Sequence, residues 1–112
     1  MKIVLEVPIK VTDQDLMDII SIAFEGGINY WCSDAEKLGN LSYKLYDSES
    51  DDTWTFDKDD LLRGIKQYMQ NNHEWKIFDT DENGLYLEFA YIDADVADQI
   101  IQYACMGKVI FG

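Results

Sequence analysis

TDQDLMDIISIAFEGGINYWC, residues 12–32, carries the reading on which the fold turns. Leu16, Ile19, Ile20, Ala23 and Phe24 fall at i, i+3, i+4, i+7 and i+8, an apolar stripe along one helix face. Thr12 suits the N-cap, where its hydroxyl accepts an orphan backbone N–H. Asp15, three residues on, completes a weaker form of the capping box. Gly26 and Gly27 are expected to stop the helix, because glycine enters the left-handed conformation without a Cβ penalty. Beyond them Ile28, Tyr30 and Trp31 are large groups that need a surface to pack on. At least one of Tyr30 and Trp31 is expected in the core, and an exposed one would be an interface anchor.

Outward from this stretch, KIVLEVPIKV (2–11) alternates. Ile3, Leu5, Val7, Ile9 and Val11 face one way, with Lys2, Glu6, Pro8 and Lys10 opposite, as in a strand with one buried face. Pro8 places its segment at an edge. Ser33–Asn40 carries loop chemistry, with a turn at Gly39-Asn40. LSYKLY (41–46) and TWTF (53–56) read as a hairpin around the acidic loop DSESDD. Asp57 caps a second helix whose buried stripe is Leu61, Leu62, Ile65, Tyr68 and Met69. Gly64 inside it costs about 1 kcal/mol against alanine, which implies close packing there. WKIFD (75–79) and LYLEFAY (85–91) are two further strands, with a hairpin turn at Asn83-Gly84. Asp93 or Asp95 starts a third helix with Val96, Ala97, Ile100, Ile101 and Ala104 on its apolar face. Met106-Gly107 stops it, and Val109–Phe111 is a last strand or a docked tail. The fold expected is a single α+β domain over residues 1–112. It has a mixed, mostly antiparallel sheet with three helices packed on one face, in the order βαββαββαβ.

The net charge of -13 over 112 residues is the most unusual property of the composition. Such a surface repels nucleic acid and anionic membranes and attracts basic partners. No apolar run approaches the about 18 residues of a membrane span, and no signal peptide is recognisable, so a cytoplasmic location is expected. Cys32 and Cys105 are too few for a disulfide scaffold or a four-ligand zinc site, and read as free thiols.

Asp79, Asp81, Asn83 and Gly84 match the opening of a calcium loop, but its twelfth position is Ala90 instead of glutamate. A hairpin turn is the preferred reading, with no metal and no cofactor. Nucleophilic catalysis would need Cys32 or Cys105 beside His73, the only histidine, and no nucleophile-elbow or phosphate-loop spacing is present. The chain is therefore read as a non-enzyme. Asp trios at 13/15/18, 57/59/60 and 93/95/98 suit helix N-termini, where negative charge is favourable. Asp47, Glu49, Asp51 and Asp52 serve no helix. If the three helices ran the same way, their acidic N-termini would converge on one edge of the domain.

FEGGINYWC (24–32) after TDQDLMDIISIA, together with ADVADQIIQYACMGKVIFG (94–112), resembles a group of small proteins encoded by phages and mobile elements of bacteria. The likeness covers about a third of the chain. It implies no established activity and no site residues. In size and charge the chain is also similar to anti-CRISPR and anti-restriction inhibitors, some of which imitate DNA. The function expected is that of an acidic, DNA-mimic-like binding protein acting in the host cytoplasm. It would block a basic nucleic-acid-binding site on a CRISPR effector, a restriction enzyme or a similar protein. Asp47, Glu49, Asp51, Asp52, Asp57, Asp59 and Asp60 are the expected partner-binding residues. The alternative is a self-associating accessory domain, such as a homodimer, whose acidity serves solubility only.

Overall fold

Helix α1, Asp13–Ile22, starts as its sequence dictates. Asp15 N–H donates to Thr12 Oγ1 at 3.1 Å, and Thr12 N–H donates to Asp15 Oδ2 at 2.9 Å. Gly26 and Gly27 do not end it in a left-handed cap. The chain continues as a π turn, Ala23–Gly27, and neither glycine has positive φ. The reason for Gly27 is proximity: a Cβ there would lie 2.7 Å from the carbonyl oxygen of Ala94.

The computed structural model describes residues 9–72 and 77–112. Strand β1, Ile9–Lys10, precedes α1, and the remainder of the strand expected at 2–11, except Val11, lies outside the described residues. Val11 is not in the strand. Next come β2 (Cys32–Gly39), β3 (Ser42–Asp47), β4 (Thr53–Phe56) and helix α2 (Lys58–Asn72). Strands β5 (Phe78–Asp81) and β6 (Gly84–Leu87), a 3-10 turn (Phe89–Tyr91) and helix α3 (Ala94–Met106) complete the order.

The α+β reading holds, while the strands divide between two three-stranded sheets instead of forming one. One is antiparallel, in the order β2-β3-β4. In the other β6 is central, parallel to β1 and antiparallel to β5. Ser33–Gly39 is strand, not loop, because it pairs with β3 despite its polar side chains. Leu41 belongs to the turn after it, at φ 56, with its side chain buried. Residues 89–91 leave the strand expected there for the 3-10 turn, and Val109–Phe111 is a docked segment with no strand.

α3 packs against both other helices and is antiparallel to each. Its first turn meets Gly27 at the far end of the α1 helical run. Its last turns meet the first half of α2, where a Cβ on Gly64 would lie 2.7 Å from Ile100 O and 3.0 Å from Ala104 N. Arg63 Nη2–H donates to Ala104 O at 2.7 Å at the same crossing. The core joins the expected stripes of all three helices to Trp31, Leu41, Leu45, Phe56 and Ile77.

Candidate partner-binding surface

Hydrogen bonding builds the acidic tip between β3 and β4. Asp47 N–H donates to Asp52 O, and Asp47 Oδ1 accepts Glu49 N–H at 2.7 Å. Ser50 Oγ accepts Asp52 N–H. Asp47 thus shapes the turn, leaving Glu49, Asp51 and Asp52 exposed to solvent. Ser48 N–H donates to Trp31 O at 2.9 Å, anchoring the tip to the aromatic run.

Asp57, Asp59 and Asp60 lie at the other end of β4, roughly 17 Å from Asp52 at about 3.3 Å per strand residue. Asp57 and Asp60 form a reciprocal cap. Asp60 N–H donates to Asp57 Oδ1 and Asp57 N–H to Asp60 Oδ2, at 2.9 and 3.0 Å. The backbone N–H of Asp60 holds the Asp57 carboxyl below its usual range. Asp60 also pairs with Arg63 at 2.9 Å, and Asp13 with Lys58 at 2.8 Å. Only Asp59 of this group has neither a cap nor an ion pair between described residues. The seven expected partner-binding acids therefore form two clusters.

The three acidic N-termini do not converge. The Asp13–Lys58 pair brings the starts of α1 and α2 together, but α3 runs the other way, so Asp93 and Asp95 lie at the opposite edge. Asp93 caps α3 through Val96 N–H at 2.9 Å. Crowding of like charge is relieved by this reversal and by the two cations at the shared edge.

Asp98 departs furthest from its expected part as a helix-terminal charge. It is buried, and three donors converge on it: Tyr30 Oη–H at 2.6 Å, Trp31 Nε1–H at 2.8 Å and Gln102 Nε2–H at 2.9 Å. A carboxylate accepts only, so three donors satisfy it without a cation. Desolvation and the bond to Asp98 push the Tyr30 hydroxyl up to about 12. Trp31 is 2% exposed and belongs to the core, whereas Tyr30 is 54% exposed, with its hydroxyl bonded to Asp98. The signal for this hub was present in the sequence: Asp98 and Gln102 stand at i and i+4 between the apolar pairs of α3.

The DTDENG segment is the β5–β6 hairpin, with Asp81 Oδ1 accepting Asn83 N–H. Among the described residues, no three His, Cys, Asp or Glu side chains are grouped to hold a metal ion. A cleft of about 280 Å³ lies between the π turn and β2, lined by Phe24, Ile28, Asn29, Cys32, Ser33, Asp34 and Ala35. Cys32 Sγ–H donates to Asp34 O at 3.2 Å, and burial pushes the thiol up. His73 lies outside the described residues. No helix among the described residues is long and apolar enough to cross a membrane. No protein-family model, curated protein or solved structure matches this chain.

Proposed function

We infer that the protein is a non-enzymatic, phage- or mobile-element-type inhibitor that occupies a basic nucleic-acid-binding site on a cytoplasmic host protein, such as a CRISPR effector or restriction enzyme. The observation that carries this reading is the net charge of -13 together with a hairpin tip whose acids cap no helix. Glu49, Asp51 and Asp52 form no ion pair between described residues, so they are available to Lys and Arg groups that would otherwise meet phosphates. Asp59 supplies a second point of attachment beyond β4. Asp57 and Asp60 add field there while their oxygens remain committed to the helix.

The test is capture from host lysate across a salt series, with the Glu49→Gln, Asp51→Asn, Asp52→Asn variant alongside. Binding of a basic nucleic-acid-binding protein that weakens with salt and is lost in the variant is the expected result. Unchanged capture by the variant, or no such protein at low salt, removes the reading.

A self-associating accessory domain is the second reading, favoured by the exposed rings and chains of Tyr30, Val109 and Ile110. Light scattering separates the two, since an apolar dimer persists in high salt.

A further inference from the structure

The cleft of about 280 Å³ between the π turn and β2 has apolar walls at Phe24, Ile28 and Ala35 and polar lining at Asn29 and Asp34. Ile28 N–H donates to Ala23 O at 3.0 Å, one residue beyond the acceptor of an α-helix, and Phe24 and Ile28 come from this turn and its cap. Single π turns recur at functional sites. Asp34 Oδ1 accepts the N–H of Ala35 at 2.9 Å, while its Oδ2 accepts no bond between described residues. Asn29 is exposed and makes no side-chain hydrogen bond among the described residues. Burial, and to a smaller degree the charges of Asp34 and Asp47, push the Cys32 thiol up, so this wall of the cleft stays neutral within the field of both carboxylates. Cys32 pairs with Asp47 and Asp34 with Tyr46, so the cleft and the acidic tip share one end of the sheet.

We propose that this cleft receives an arginine side chain of the basic partner, its methylene stem on Phe24, Ile28 and Ala35 and its guanidinium on Asp34 and Asn29. The inference rests on the inhibitor reading and supplies that reading with an anchor. Size selects the occupant: about 280 Å³ falls short of the roughly 300–1,000 Å³ of sites that enclose a drug-sized ligand, and suits one long side chain. Chemistry selects its kind, because an apolar wall beside an uncompensated carboxylate matches a residue that buries its stem and keeps a charged head near water. A second copy of this chain is a poor occupant, since it would bring its own net charge of -13 to the contact. Arginine fits better than lysine, because its planar fork offers several donors at once to carboxylate and amide oxygens and is more weakly hydrated. Glu49, Asp51 and Asp52 then form the rim, where charge steers the encounter, while the seated arginine carries the larger share of the affinity.

The experiment follows the backbone amides of the isotope-labelled full chain by NMR during titration with N-acetyl-arginine amide, with the citrulline and lysine analogues alongside. The arginine compound should shift Asn29, Ser33, Asp34 and Ala35 and saturate, whereas the citrulline compound, of the same shape without the charge, should not. Asp34→Asn should weaken arginine binding roughly tenfold, the loss of one charge-assisted hydrogen bond. The asparagine side chain still offers an oxygen to the Ala35 N–H, so the fold is retained. Shifts spread evenly over Glu49, Asp51, Asp52 and Asp59 would show only attraction of cations by the net charge, and would overturn the proposal. Equal binding of the lysine or citrulline analogue overturns it as well. Capture from host lysate separates the cleft from the reading it rests on. A basic protein captured equally by wild type and Asp34→Asn, but not by the tip variant, leaves the inhibitor reading standing and removes the cleft. Saturable arginine binding with no protein captured does the reverse.

Discussion

Gly27 and Ala94 touch so closely that a Cβ on Gly27 would stand 2.7 Å from the Ala94 carbonyl oxygen. The contact sets where the start of α3 crosses the end of the α1 run, and so the place of Asp98 beneath Tyr30 and Trp31. Gly27→Ala is expected to cost about 1–3 kcal/mol, because backbone must move to admit the methyl group. Gly64→Ala should behave likewise at the α2–α3 crossing. Gly26→Ala is the control: a Cβ there meets nothing within 4 Å, so stability should stay within about 0.5 kcal/mol of wild type. Urea unfolding of the three variants checks the ranking.

Asp98→Asn replaces an acceptor-only group by one that carries donors of its own, facing Tyr30, Trp31 and Gln102. The loss should be about 1.5–3 kcal/mol, the range for hydrogen bonds to a charged group. The near-ultraviolet circular dichroism of Trp31 should change as well, since its ring orientation depends on this bond.

Tyr30 gives a pH dependence whose sign follows from its raised value. Unfolded, the hydroxyl titrates near 10.0; folded, it holds its proton to about 12. Between these values the folded state binds more protons, so its stabilising contribution is complete below pH 10 and is lost as pH rises towards 12. Cys105, which burial also pushes up to about 12, contributes a fall of the same sign. The difference between wild type and Tyr30→Phe isolates Tyr30: the variant's melting temperature should fall less steeply across this window.

The acids of the two clusters should separate in stability measurements. Asp57→Ala removes a side chain that caps α2 and should cost about 0.5–2 kcal/mol, while the tip variant Glu49→Gln, Asp51→Asn, Asp52→Asn should melt within about 0.5 kcal/mol of wild type. A binding defect in the tip variant is then interpretable, whereas one in an Asp57 or Asp60 variant is not. Thermal denaturation of both variants decides this.

Local chemistry was enough for much of the fold. The stripe of α1, the Thr12–Asp15 box, the Asp57 and Asp93 caps and the acidic hairpin depend on residues within a few positions of one another. Their periods and hydrogen-bonding groups can be read along the chain. Other features came from strand pairing and from contacts between elements. β2 is a strand because β3 supplies its hydrogen bonds, although its side chains are those of a loop. Gly27 is small for Ala94, not for a left-handed turn, and the direction of α3 separates acids that the sequence alone would have let converge. Asp98 looked like one more charge near a helix start. Gln102 is its neighbour one turn on, but only the tertiary fold brought Tyr30 and Trp31 to it, because a buried carboxylate is tolerated where donors from remote segments meet it.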